Sequence, residues 1–190
     1  MKNLKISLLA LIATVSFTSC SSDDDALVPV NEEEVITTIT ATFTPQGGGE
    51  TIVLQSRDLD GDGPDAPIVT ISGDFTAGIN YNGTVSFLNE LANPTEDITE
   101  EIHEEGDEHQ LFYQQNGLGT FAYADEDING NPIGLQFTYE ASATATSGNL
   151  TITLRHEPNK TAEGVSNGNI TNAGGNTDAT VTFTINVVQP

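Results

Sequence analysis

A chain of 190 residues with 5 Lys and Arg against 28 Asp and Glu, net charge −23, repels nucleic acid and anionic headgroups and attracts cations. Its single cysteine excludes an internal disulfide, so the fold must rest on a hydrophobic core. The absence of tryptophan and an aromatic content of 6% leave little to stack on sugar rings.

In chain order, Lys2 and Lys5 precede an apolar run from Ile6 to Phe17. That run is shorter than the about 20 apolar residues a bilayer crossing needs, and it fits a cleaved secretory signal. It ends in Ser16-Phe17-Thr18-Ser19-Cys20. This ending resembles the lipobox of bacterial lipoproteins, with Phe17 where leucine is usual. The resemblance implies cleavage before Cys20 and a lipid on its thiol. Ser21-Ser22-Asp23-Asp24-Asp25 follows, and it resembles the surface-export signal of Bacteroidota-type lipoproteins, carried by Ser22, Asp23, Asp24 and Asp25. A run of like charge also reads as a solvated tether. The expected organisation is a signal peptide over 1–19, a lipidated acidic tether over 20–33 and a folded domain over 34–190.

The domain reads as β throughout. From Val35 to Phe43, odd and even positions alternate between two faces in a β-branched run, the period-two pattern of a strand. A turn at Pro45-Gln46-Gly47-Gly48-Gly49 leads to a strand near 51–56. Further strands are expected at 68–75, 84–88, 110–115, 120–124, 134–143, 149–156 and 179–188. In the last, Val181, Phe183, Ile185 and Val187 share one face and Thr180, Thr182, Thr184 and Asn186 the other. Asn93-Pro94-Thr95-Glu96 offers a cap and an N-terminal proline, with Ile98 and Ile102 four apart, so 94–105 reads as a short helix. The fold class expected is all-β: one antiparallel β-sandwich or barrel-like domain of about 8–9 strands with one short helix.

The start SC-SSDDD, RDLDGDGP at 57–64, EEGDEHQLFY at 104–113, NGNP at 129–132 and LRHEPNK at 154–160 together resemble a group of small surface-exposed outer-membrane lipoproteins of the Bacteroidota type. Proteins of this look are often called "type 1 periplasmic binding fold". That fold is a pair of α/β lobes built from strand–helix repeats, and this chain has neither the length nor the helices for it.

Two groups of residues point to a metal. Asp58, Asp60 and Asp62, with Gly61 and Gly63 between them, match the start of a calcium loop, but its twelfth position is Val69 where a bidentate glutamate belongs. Asp125-Glu126-Asp127-Ile128-Asn129-Gly130 is a weaker copy; Asp, Asn and Gly are also ordinary turn residues. The second group is histidine. His156 ends the inward row Leu150, Ile152, Leu154, and His109 opens a strand just after Glu105, Asp107 and Glu108. Two strand-end histidines with a carboxylate suit zinc or another transition metal, although a lone histidine there is more often hydrogen-bonded structure. His103 and His109 are six apart, whereas a zincin helix needs four.

Gly164-Val165-Ser166-Asn167-Gly168 fits G-x-S-x-G, but no apolar strand precedes it and no helix follows to build the strained elbow. No catalytic residue is assigned and no enzyme is expected. The expectation is a lipid-anchored binding module on the outer membrane, taking calcium, zinc or the cargo of an outer-membrane transporter. The alternative is a structural or adhesive surface protein with no small-molecule ligand. Convergence of the Asp58 loop, His109 and His156 in space would separate the two.

Overall fold

Period-two alternation builds two facing sheets, described in a computed structural model over residues 34–61 and 63–190. The signal peptide, Cys20, Ser22 to Asp25, the rest of the tether and Asp62 lie outside the described residues. The strands are β1 (Thr38–Pro45), β2 (Ile52–Arg57), β3 (Ile68–Ile71), β4 (Phe75–Thr76), β5 (Asn80–Asn89), β6 (Glu96–Asp97), β7 (His109–Gln114), β8 (Gly119–Tyr123), β9 (Gln136–Ala141), β10 (Thr146–His156) and β11 (Asn176–Val188), with one helix, α1 (Ile98–Glu104). The first sheet runs β3-β2-β1-β5-β9-β8, with β6 also paired to β5; the second runs β4-β11-β10-β7. All pairings are antiparallel except β4 with β11. The all-β sandwich expected from the alternation is the fold observed.

The 11 strands among the described residues exceed the expected number because β4 and β6 are two residues long, too short for periodicity to register. The stretch expected as one strand at 68–75 divides into β3 and β4 around Ser72-Gly73-Asp74. The helix is also shorter than the 94–105 expected. Its cap is Asp97, which accepts from Thr99 N, because Glu96 and Asp97 first pair with β5. Ile98 and Ile102 are buried as their spacing implies. Thr99 Oγ1 pins the helix to β5, accepting from Phe87 N at 2.9 Å and donating to Phe87 O at 3.2 Å.

The core between the sheets is aromatic at its centre. Phe43 meets Phe75, Phe137 and Tyr139 edge-on at ring separations of 4.9, 5.1 and 5.7 Å. Each such ring, fully buried, contributes roughly 1.5–3 kcal/mol. Phe137 lies directly over Gly83 of β5, where an added Cβ would sit 2.1 Å from the ring.

A long loop from Glu157 to Gly175 folds back over the outer face of β7, covering Phe112 with Val165 and Ala173. Gln110 Nε2 donates to Val165 O at 2.9 Å. Buried Lys160 donates to Asp127 Oδ2 at 2.9 Å, to Pro132 O at 3.0 Å and to Gly106 O. The loop therefore fixes the end of the sandwich at which β7 begins and β10 finishes.

Candidate metal centre

Antiparallel pairing of β7 with β10 sets His109 directly opposite His156. Each histidine continues an inward row, Leu111 in β7 and Leu154 with Ile152 in β10. Their rings stack at 4.8 Å, inclined by 19°. Two of the three histidines of the chain thus meet at one end of the core, and both are buried.

The third member comes from β11. Along that strand the odd residues Val181 to Val187 face inward, and the alternation continues only as far as Ala179. The pairing with β10 then shifts: Leu154 opposes Ala179, but Arg155 opposes Thr177. Asp178 is the extra residue of this bulge. A bulge re-aims the side chain it carries, and the Asp178 carboxyl, only 3% exposed, lies beside the histidine pair, near one nitrogen of each ring. Its Oδ2 is 3.8 Å from His109 Nε2 and its Oδ1 3.9 Å from His156 Nδ1. Glu34, just before β1, adds Oε1 at 3.7 Å from His109 Nε2.

One ring is already oriented. His109 Nδ1 lies 3.1 Å from the Glu105 carbonyl at the C-terminal end of α1. A carbonyl can only accept, so Nδ1 carries the proton and the lone pair of the neutral ring is on Nε2, facing Glu34 and Asp178. A ligating histidine is commonly held this way, its other nitrogen donating to a carbonyl. Burial also pushes His109 below the usual imidazole pKa, which keeps the ring neutral. Glu34 moves the opposite way: burial, then the nearby charges of Glu101, Asp178 and Glu105, raise it to about 7.

His109, His156 and Asp178 each offer a ligand atom within 4.8 Å of the others, as do Glu34, Glu105 and His109. Zinc bonds of 2.0–2.2 Å in a tetrahedron place neighbouring ligand atoms roughly 3.4 Å apart. The separations of 3.7 and 3.8 Å at His109 Nε2 need close only by a few tenths of an ångström. The chemistry this permits is capture of a divalent ion by nitrogen and carboxylate oxygen.

The acidic loops are arranged differently. Asp58 Oδ1 accepts from Asp60 N and Gly61 N at 3.2 and 3.0 Å, and Asp60 Oδ2 accepts from Asp65 N at 3.1 Å. These carboxylates cap their own turn, and among the described residues neither joins a group of ligand atoms. Asp58 does border a cleft of 460 Å³ whose walls include Glu34 and Asp178. In the second loop, Asp125 accepts from Gly134 N and Gln136 N, and Asp127 from Asn129 N, Asn131 N and Lys160. Lys160 stands where a cation would have to be. His103, exposed on α1, lies apart from the histidine pair.

Sequence reasoning found His109 and His156 but missed Asp178 and Glu34. The alternation of β11 assigns Asp178 to the threonine face, and only the bulge turns it inward. Comparison of the chain with protein-family models, with curated proteins and with solved structures finds no match.

Proposed function

We propose that the protein is a lipid-anchored surface module that captures a transition-metal ion of the zinc class through His109, His156, Asp178 and Glu34. The observation that carries this reading is the cross-strand histidine pair with a carboxylate turned by a bulge toward a nitrogen of each ring. Zinc is favoured over calcium because imidazole nitrogens are donors for transition metals, whereas calcium takes oxygen. The anchor rests on the sequence around Cys20 and the outward orientation on Ser22 to Asp25. A chain of net charge −23 would also gather cations near the surface that bears it. Passing the ion to an outer-membrane transporter is the partner role that fits.

Zinc at about 100 times its dissociation constant should add roughly 2.7 kcal/mol of stability, a rise of about 5–10 °C in melting temperature for a domain of this size. The rise should vanish in Asp178→Asn and in His109→Ala, while magnesium at matched ionic strength does nothing. A zinc shift that survives both substitutions would sink this assignment. The reading as an adhesive surface protein is favoured by one observation, the exposed apolar edge strand β3, with Ile68 63% and Val69 46% exposed. It gains ground if zinc leaves the melting temperature unchanged.

A further inference from the structure

Outside the buried centre lies a second set of donors that shares one of its histidines. Glu108, His156 and Glu157 offer ligand atoms within 4.8 Å of one another. Glu108 Oε2 is 3.5 Å from His156 Nε2, the nitrogen on the opposite side of the ring from Asp178. Side-chain exposure grades outward along this line, 3% at Asp178, 9% at His156 and 53% at Glu108. The two glutamates are brought together by backbone: Glu157 N donates to Glu108 O at 2.6 Å, and Glu157 holds a left-handed φ of 49°, uncommon for a residue with a side chain.

We infer, on the metal-capture reading above, that Glu108, Glu157 and His156 Nε2 form an outer landing position from which a divalent ion passes to the inner centre through His156. A neutral imidazole has one lone pair. With an ion outside, Nε2 ligates and Nδ1 carries the proton toward Asp178. With the ion inside, Nδ1 ligates and Nε2 carries the proton. In the transfer the metal–Nε2 bond breaks and a metal–Nδ1 bond forms. Nδ1 releases one proton to water and Nε2 takes one up, so no net proton is exchanged. The two positions therefore exclude each other at His156, and the outer one sets the rate of loading and not the number of ions held. The inner position keeps its ion because His109 Nε2, Glu34 and Asp178 act with His156 there, against two exposed carboxylates outside.

The cleft bordered by Asp58, Glu34 and Asp178 is the competing way in, and one experiment separates the two. The full chain in detergent is mixed with Co²⁺ alone, whose visible absorption reports nitrogen and oxygen coordination, and loading is followed by stopped flow. Glu108→Gln/Glu157→Gln should load about tenfold more slowly than Glu140→Gln/Glu163→Gln, an exposed pair that removes the same charge elsewhere. Its final spectrum should be that of the unsubstituted protein and its affinity within about threefold, the usual pattern when a steering charge lies outside the bound site. Asp58→Asn, which keeps the oxygen that caps its turn, should load normally. Equal rates in the two glutamate pairs, a loss of affinity parallel to the loss of rate, or slow loading confined to Asp58→Asn would each overturn the inference while leaving the inner centre standing. Absence of any cobalt absorption in the unsubstituted protein would overturn the capture reading itself, and the landing position with it.

Discussion

At the scale of single residues, Lys160 and Asp178 show how little of a side chain's role lies in its own position along the chain. Lys160 sits in an Asn- and Gly-rich loop, yet its ammonium is buried against Asp127 and two carbonyls. Removing one partner of a buried ion pair leaves the other charged and desolvated, which costs about 3–5 kcal/mol. Lys160→Met should therefore lower stability by about that amount in urea unfolding, and adding Asp127→Asn should recover a good part of it. If the double variant is no more stable than the single one, the pair is not what fixes the loop. Asp178 was hidden for a different reason. Alternation assigns faces correctly from Val181 to Val187, but a bulge changes the parity of everything before it, and no local residue type announces one in β11. His156 was legible because the apolar row of β10 runs unbroken to it, and His109 because it opens a strand just after three acids. Their register was not, since cross-strand partners depend on where the intervening loop allows the strands to meet.

At the scale of elements, the long strands were legible because their alternation is long. The two-residue strands and the true helix start were not, because pairing of β4 with β11 and of β6 with β5 decides them. Capping makes the helix start testable: Asp97→Ala should cost about 1 kcal/mol, while Asn93→Ala, at the cap the sequence pattern favours, should cost little. A greater loss from Asn93→Ala in denaturant unfolding would restore the earlier start. The ion pair between β2 and the turn after β5 makes a pH prediction. Arg57 binds both carboxylate oxygens of Glu90, at 2.7 to 3.1 Å. Hydrogen bonds from Arg57, then Thr38, hold Glu90 down at about 2, against an ordinary 4.5. A carboxylate with a lowered folded pKa stabilises above its unfolded value, and that contribution is lost as pH falls through the folded one. Stability should thus decline between about pH 4.5 and 2, and Glu90→Gln should flatten that part of the profile. An unchanged acid limb in the variant would mean that other carboxylates dominate acid unfolding.

At the scale of the whole molecule, charge and the N-terminal pattern set the expectations, and both concern where the protein resides more than what it holds. Lys2 and Lys5 lie in the expected signal, so after cleavage only Arg57, Arg155 and Lys160 would balance the 28 acids. Such a chain has no electrostatic reason to adhere to anionic lipid. None of the helices among the described residues is long and apolar enough to cross a membrane. On the lipoprotein reading, attachment depends on acyl chains at Cys20, each buried methylene adding about 0.8 kcal/mol, so that several chains on one residue hold it firmly. Cys20→Ser should remove the acceptor thiol and move the protein from the membrane pellet to the soluble fraction. Asp23, Asp24 and Asp25 changed together to Ala should instead leave it in the pellet but shield it from protease added to intact cells. The two variants separate anchoring from orientation: the first changes fractionation, the second only accessibility. Cys20→Ser protein that still resists carbonate extraction from membranes would require an attachment other than lipid. Unchanged protease sensitivity of the aspartate variant would reduce the acidic run to a spacer, its charges serving solvation alone.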